Sequence, residues 1–217
     1  EAVRCLSFTK ERLQGEEWNL SKPWEPYTIK KTEKGWHLTP NDDTNLKRWY
    51  NSTLFTLENS QFAHCKQAVM LDCDMVYIRN CQIETHPEME GAAMYLGGIA
   101  VIHGLKGMAH LSPSHQQYWI STGSNLAVRD SDLDTDKSEG IALVRFTALN
   151  PRNPTTPGVR IENTALKAAG SRENAILYIT EGGTPQIISI TNVRERSGKP
   201  VTAVAWEKVP SQTELQE

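Results

Sequence analysis

The chain has 217 residues, of which 38% are hydrophobic and 23% are charged, with 23 Lys and Arg against 26 Asp and Glu and a formal charge of −3 at pH 7. That length suits one domain with a sizeable core, and the interspersed charges argue against the clustered basic surface that nucleic-acid binding needs. The longest apolar runs, such as residues 97 to 103, are far too short to span a membrane.

Residues 1 to 50 show no repeat and differ in composition from the rest of the chain. They contain four of the six tryptophans, three prolines and many charges. The opening Glu1-Ala2-Val3-Arg4 has neither the basic nor the apolar region of a signal peptide, so we expect none here. We predict that residues 1 to 50 form an irregular N-terminal cap or flanking segment, because the first coil of a solenoid otherwise exposes an apolar end to water.

From residue 51 onwards one short pattern occurs six times: an apolar residue, any residue, an apolar residue, any residue, then Asn, Asp or Gly. This alternation with a period of two predicts a strand, and the closing residue tolerates left-handed backbone geometry. The closing residues follow one another at steps of 21 (80 − 59), 24 (104 − 80), 26 (130 − 104), 33 (163 − 130) and 29 (192 − 163). These corner residues are Asn59, Asn80, Gly104, Asp130, Asn163 and Asn192.

Further strands flank the pattern. Residues 68 to 74 form a predicted strand before Val76, and a short apolar segment follows Asn80, which gives three strands per turn. A repeat of about 20 to 35 residues built from strands is typical of a solenoid of β-coils. The sequence therefore predicts an all-β chain, with a parallel β-helix of about six to seven coils over residues 51 to 206 and a C-terminal tail over residues 207 to 217.

Two segments of the coils match the pattern of a known family. In Val76-Tyr77-Ile78-Arg79-Asn80-Cys81-Gln82-Ile83 and Val159-Arg160-Ile161-Glu162-Asn163-Thr164-Ala165-Leu166, an apolar pair, an Asn and a following aliphatic residue occur in this order. This order resembles the second strand, tight turn and third strand of the right-handed parallel β-helix proteins, the pectin-lyase-like superfamily that includes phage tailspike bodies. The resemblance implies a right-handed parallel β-helix, with function in a groove along the first strand of each coil, and it brings no signature of a particular enzyme.

The corner residues are also predicted to contact one another. An Asn amide can bond the same corner of the coils above and below, which forms a ladder that Gly104 interrupts. The residue before each corner residue points outward, and neighbouring coils are about 4.8 Å apart. We therefore expect the ion pairs Glu58–Arg79 and Arg129–Glu162 on a solvated face.

Two carboxylates are the candidate catalytic residues. If Val69, Leu71 and Cys73 face the core, Asp72 and Asp74 face outward together on a first strand. Such a pair can act as acid and base on a glycosidic bond, or can hold a Ca²⁺ ion that acidifies the α-proton of a uronate. The alternative is that both are solvated acidic residues near a turn, which Asp74 caps.

The same face is predicted to bind substrate. Tyr95, Trp119, Arg145 and Tyr178 occupy first-strand positions on successive coils. Aromatic faces can stack on sugar rings, and an Arg can neutralise the carboxylate of a uronate or sialate. The alternative is that Trp119 and Tyr178 face the core.

An acidic run is the candidate metal site. Asp130, Asp132 and Asp134 alternate along it, as in a calcium loop. An EF-hand is excluded, because Thr135 and Ile141 stand where that motif needs Gly and Glu. A looser Ca²⁺ site and an exposed acidic turn both remain open.

The histidines show no spacing that is typical of a zinc site. His86, His103, His110 and His115 lie in or near the loops after the second and third coils, without an HExxH or similar pattern. We therefore expect no metal chemistry from histidine.

Two functional interpretations remain open. The first is an enzyme that degrades a polysaccharide, a lyase or glycoside hydrolase. The second is a non-catalytic segment of a phage spike or adhesin, a rigid rod that binds a surface glycan and forms a homotrimer. Both predict a polysaccharide or glycan partner and a location outside the cell or on a virion surface.

Overall fold

The computed structural model describes residues 54–71, 75–147 and 157–208 in full, together with the backbone of four strands before residue 41. This described part of the chain contains 22 strands and no helix, which confirms the all-β prediction. The strands are β1 (Val3–Cys5), β2 (Glu17–Asn19), β3 (Tyr27–Thr32), β4 (Gly35–Pro40), β5 (Leu54–Glu58), β6 (Gln61–Cys65), β7 (Val69–Leu71), β8 (Met75–Arg79), β9 (Gln82–Thr85), β10 (Gly91–Leu96), β11 (Ile99–His103), β12 (Lys106–Ala109), β13 (Gln117–Thr122), β14 (Leu126–Arg129), β15 (Asp132–Thr135), β16 (Ala142–Phe146), β17 (Gly158–Glu162), β18 (Ala165–Leu166), β19 (Ala175–Ile179), β20 (Ile187–Thr191), β21 (Arg194–Glu195) and β22 (Thr202–Trp206).

Three parallel sheets form the stack. Sheet 1 has the order β1-β7-β10-β13-β16-β19-β22, sheet 2 the order β5-β8-β11-β14-β17-β20, and sheet 3 the order β6-β9-β12-β15-β18-β21. The chain passes from sheet 2 to sheet 3 to sheet 1 in each turn, and β5 to β22 make six turns. This architecture is a right-handed parallel β-helix, the hand that parallel crossover connections take, and it confirms the predicted fold.

The chain divides into two compact units, Glu1–Cys5 with Leu54–Glu217, and Leu6–Thr53. In the first unit, β1 pairs with β7 and so adds a strand to sheet 1. In the second unit, β2, β3 and β4 form an antiparallel sheet with β3 in the middle. The predicted cap over residues 1 to 50 and tail over residues 207 to 217 lie largely outside the described residues. No helix in the described ranges is long and apolar enough to cross a membrane.

The core lies inside the coils, between the three sheets. On β8 in sheet 2, Val76 and Ile78 are buried while Tyr77 between them is partly exposed, which is the alternation that the sequence predicts. Sheet 1 differs, because the consecutive residues Trp119 and Ile120 of β13 both belong to the core. Strands β10, β16 and β19 also place two consecutive residues in the core. This break in the alternation decides which residues of sheet 1 face outward.

The corner residues take the predicted backbone conformation. All six have a positive φ, between 48° and 68°. Asn192 Nδ2 donates a hydrogen bond to Asn163 Oδ1 at 2.8 Å, and Asn163 Nδ2 donates to Asp130 Oδ1 at 3.2 Å, which confirms the ladder over these three coils. A Cβ at Gly104 would lie 2.7 Å from Asn80 Oδ1, so the glycine makes room for the amide of the preceding corner.

The two predicted ion pairs are present on the solvated face. Arg79 Nη1 lies 3.3 Å from Glu58 Oε1, and Arg129 Nε lies 2.9 Å from Glu162 Oε2. The side chains are between 34% and 54% exposed, so each pair contributes little to stability. Their presence confirms that the residue before each of these corners faces outward on sheet 2.

Replacing Asn163 with alanine is expected to lower the free energy of unfolding by about 1–2 kcal/mol. Alanine removes both ladder bonds and has no polar side chain to support the left-handed conformation. Asn163→Gly is the matched control, because it removes the same bonds but adopts the conformation freely. Urea unfolding followed by circular dichroism measures both, and equal losses for the two variants would contradict the role of backbone geometry.

Candidate functional site

The outer face of sheet 1 carries residues predicted to bind sugar. Strand register places Tyr95 beside Ser121, Ser121 beside Arg145, and Arg145 beside Tyr178. Adjacent strands are about 4.8 Å apart, so these side chains form one row across four strands. Tyr95, Arg145 and Tyr178 are each partly exposed. The structure therefore brings three of the four predicted binding residues onto one surface.

Trp119, the fourth of these residues, lies in the core instead. Its side chain is 0% exposed, because the alternation on β13 breaks between Trp119 and Ile120. Gly107 on sheet 3 leaves room for the ring, since a Cβ there would lie 2.6 Å from Trp119 Cζ3. The indole Nε1 has no hydrogen-bond partner among the described residues. Trp119 is thus a packing residue and does not line the outer face.

Tyr118, the residue before Trp119, packs with Tyr95 and Tyr178 beneath the outer face of sheet 1, and its own side chain is only 2% exposed. Its ring stacks on that of Tyr178, with centroids 6.2 Å apart and an interplanar angle of 8°. The guanidinium carbon of Arg145 lies 5.7 Å from the centroid of the Tyr118 ring, within the range of a cation–π contact. Tyr95 packs against the same group. We call Tyr95, Tyr118, Arg145 and Tyr178 the tyrosine–arginine cluster; strict alternation gave no signal for Tyr118.

Two tyrosine hydroxyls of this cluster are hydrogen-bonded, and that of Tyr95 accepts from the backbone N–H of Ala92 at 3.0 Å. Tyr118 donates to Glu173 Oε1 at 3.0 Å, and Gln116 Nε2 donates to the same oxygen. Burial, and then the negative charge of Glu173, raise the pKa of Tyr118 well above its usual value. Burial, and then the charge of Glu207, raise the pKa of Tyr178. Both phenols are therefore neutral at physiological pH.

Arg145 has no acidic partner in the described part of the chain. Its side chain is partly buried, and the contact that fixes it is with the Tyr118 ring. An Arg guanidinium presents five donors in a planar fork that matches a carboxylate. A carboxylate on the outer face of sheet 1 would therefore be a suitable partner for these donors.

Two depressions flank this face, where the loops from sheet 3 enter sheet 1. One has a volume of about 560 Å³ and is lined by Tyr95, Glu88 and Glu90 among others. The second has a volume of about 380 Å³ and is lined by Gln116 and Glu173 among others. Glu173 accepts the hydrogen bonds from the Tyr118 hydroxyl and from Gln116. Both depressions are lined by Ser114 and His115, so they adjoin along the edge of the cluster.

The predicted catalytic pair, Asp72 and Asp74, lies outside the described residues. Its role in acid–base or Ca²⁺ chemistry stays a prediction. The flanking strand residues Val69 and Leu71 are buried, as the prediction required.

The acidic run of the predicted Ca²⁺ site pairs with basic side chains. Asp132 Oδ1 lies 2.6 Å from Arg196 Nη1, and Asp134 Oδ1 lies 2.9 Å from Lys167 Nζ. Burial acts to raise the pKa of Asp134, but the hydrogen bond from Lys167 and one from a backbone N–H outweigh it and hold this pKa below its usual value. Asp130 stands at a corner and belongs to the ladder. Cations of the chain itself therefore occupy the places that Ca²⁺ would need at Asp132 and Asp134.

One group of three potential metal ligands does come together among the described residues: His64, Glu84 and His110 on sheet 3. The sequence did not predict it, because the three residues are far apart along the chain and His110 lies two residues beyond Met108, the register partner of Glu84.

Comparison with models of known protein families returns no match for this chain, and searches of curated proteins and of solved structures also return no significant match. The parallel β-helix is shown by the structure, and membership of the pectin-lyase-like superfamily stays a prediction.

Proposed function

We propose that this β-helix binds an acidic polysaccharide along the outer face of sheet 1. The observation that carries the proposal is Arg145, a partly buried cation that stacks on Tyr118 and has no carboxylate partner among the described residues. A uronate or sialate carboxylate would pair with this guanidinium in a fixed orientation.

The surroundings of Arg145 suit a sugar. Tyr95 and Tyr178 are partly exposed and lie on either side of Arg145 along the same row. Phenol hydroxyls and the polar side chains of the adjoining depressions, such as Gln116 and Ser114, can bond sugar hydroxyls. A ligand that covers several coils would meet a repeat of such groups, which fits a polymer better than a small molecule. The proposal includes a location outside the cell or on a virion surface, where such polymers occur.

Cleavage of the bound polymer is the finer part of the proposal, with Asp72 and Asp74 as the acid–base pair. Incubation with acidic and neutral polysaccharides, with and without Ca²⁺, tests it through the absorbance of unsaturated uronates and the release of reducing ends. Binding without cleavage would fit the glycan-binding rod of a spike or adhesin.

Replacing Arg145 with alanine is expected to weaken binding of an acidic polysaccharide by about 10- to 150-fold, because a hydrogen-bonded ion pair contributes about 1.5–3 kcal/mol. Titration calorimetry with a polyuronate and a neutral polymer of similar length gives the measurement. Arg160→Ala is the matched control, since this arginine lies on the outer face of sheet 2.

Two results would overturn the proposal. One is wild-type protein that binds no acidic polymer in the panel. The other is an equal loss of affinity in Arg145→Ala and Arg160→Ala, which would indicate attraction by overall charge and no defined site.

A further inference from the structure

We propose that His64, Glu84 and His110 form a binding site for a divalent transition-metal ion, with Zn²⁺ as the best fit, on the outer face of sheet 3. The three residues belong to successive coils, on β6, on β9 and directly after β12. Their ligand atoms all lie within 4.8 Å of one another. This inference is independent of the proposed glycan site, which lies on sheet 1.

The separations of the ligand atoms suit a tetrahedral ion. His110 Nε2 lies 2.9 Å from Glu84 Oε1. Ligand atoms at 2.0–2.1 Å from a tetrahedral zinc ion are about 3.3 Å from one another, so the ion would enter after a small outward adjustment of the side chains. Two imidazoles and one carboxylate form a known type of zinc ligand set, in which the fourth position is left to water.

Asp136 fixes the orientation of the His110 ring. Its Oδ2 lies 3.1 Å from His110 Nδ1, while its Oδ1 accepts a hydrogen bond from the backbone N–H of Leu111 at 3.0 Å. A carboxylate that accepts the Nδ1 proton leaves Nε2 as the metal-binding nitrogen. The backbone N–H of His110 also donates to Thr85 Oγ1 at 3.0 Å, which attaches this ligand to the neighbouring coil. The site is therefore held by contacts outside its three ligands.

An irregularity in β6 places the third ligand. The register between β6 and β9 shifts between Phe62 and Cys65, and His64 within this bulge has a φ of 54°. A positive φ is uncommon for a residue other than glycine, and β-bulges redirect side chains. Here the bulge brings the His64 ring to a centroid distance of 6.2 Å from the His110 ring, at an interplanar angle of 19°. The strained backbone conformation is thus found at His64, whose side chain would point in another direction from a regular strand.

An ion pair of His110 with Glu84 and Asp136 is the competing explanation, and His64 distinguishes the two. The ion pair needs no contribution from His64, whose side chain is exposed, whereas the metal site uses it as a ligand. His64→Ala therefore tests metal binding while it leaves the Glu84–His110–Asp136 contacts in place.

The experiment is titration of the chelator-treated full chain with ZnCl₂ by calorimetry, followed by the visible spectrum of the Co²⁺-loaded protein. We expect one zinc ion per chain and the intense Co²⁺ bands of tetrahedral coordination. His64→Ala should weaken zinc binding at least tenfold, and Asp136→Asn by about 10- to 100-fold, because outer carboxylates of this kind have effects of that size.

Two controls complete the test. His115→Ala removes an exposed histidine outside the cluster, and Cys65→Ser removes the thiol next to His64. Neither should change zinc affinity, and circular dichroism should show that all variants keep their strands. Absence of zinc binding, binding that His64→Ala leaves unchanged, or binding that is lost with Cys65 would each overturn the proposal.

Discussion

Replacing Trp119 with alanine is expected to lower the free energy of unfolding by about 3–5 kcal/mol. The side chain has no exposed surface and lies among the largest buried residues of the core. Its strand, β13, has paired neighbours on both sides, β10 and β16, so the cavity would open inside the stack and could not be filled by solvent. Guanidinium unfolding followed by circular dichroism measures the loss without depending on tryptophan fluorescence.

Two comparisons make the Trp119 result specific. Trp206→Ala, in the partly buried last strand, should cost clearly less. Gly107→Ala should destabilise the wild-type protein, because its Cβ would lie 2.6 Å from Trp119 Cζ3, and should destabilise Trp119→Ala less. Additive effects of the Gly107 and Trp119 changes would show that the two residues do not share this space.

Replacing Gly140 with alanine is expected to cost about 3 kcal/mol, at the upper end of the range for overpacking. A Cβ at Gly140 would overlap the carbonyl group of Lys167 in the next coil, closer than real Cβ contacts come. The Gly140 N–H also donates to the Ala169 carbonyl at 2.9 Å, and this hydrogen bond holds the two coils at their separation. Backbone atoms cannot rotate away as a side chain can, so the coils would have to move apart.

Gly158→Ala is the control for this change. Its Cβ would make ordinary contacts at 3.4 Å and beyond, so the free energy of unfolding should change by less than about 0.5 kcal/mol. The same urea or guanidinium titration gives both values. An unchanged free energy of unfolding in Gly140→Ala would contradict the close packing of the two coils, because it would show that they can move apart at no cost.

The fold could be predicted because its determinants are local. Each corner residue needs a left-handed conformation, and each strand before it alternates apolar and other residues, so Asn80 or Asn163 can be recognised within five residues of sequence. The ion pairs Glu58–Arg79 and Arg129–Glu162 were predicted from the same alternation, because it places the residue before each corner on the outer face. Local rules of this kind do not depend on distant parts of the chain.

The candidate sites were predicted less completely, for two physical reasons. Strands of sheet 1 place two consecutive residues in the core, so a period of two assigned Trp119 to the surface and overlooked Tyr118. The ligands His64, Glu84 and His110 are separated by 20 (84 − 64) and 26 (110 − 84) residues, whereas metal motifs are recognised by close spacing. In a solenoid, residues meet most simply when they are in register in successive turns. Here the bulge at His64 and the two-residue offset of His110 from Met108, the partner of Glu84, remove that signal.

The constant register of sheet 2 has a consequence for how the chain tolerates change. Corners are 21 to 33 residues apart, yet each strand keeps its alignment, with pairs such as Ala100↔Leu126, Leu126↔Val159 and Val159↔Ile188. Steps of different length therefore lead to the same strand alignment, which each corner restores. The segment between two corners can therefore change in length while the strands of sheet 2 stay aligned. Each added turn lengthens the outer surface by about 4.8 Å, so the number of turns sets the length of that surface.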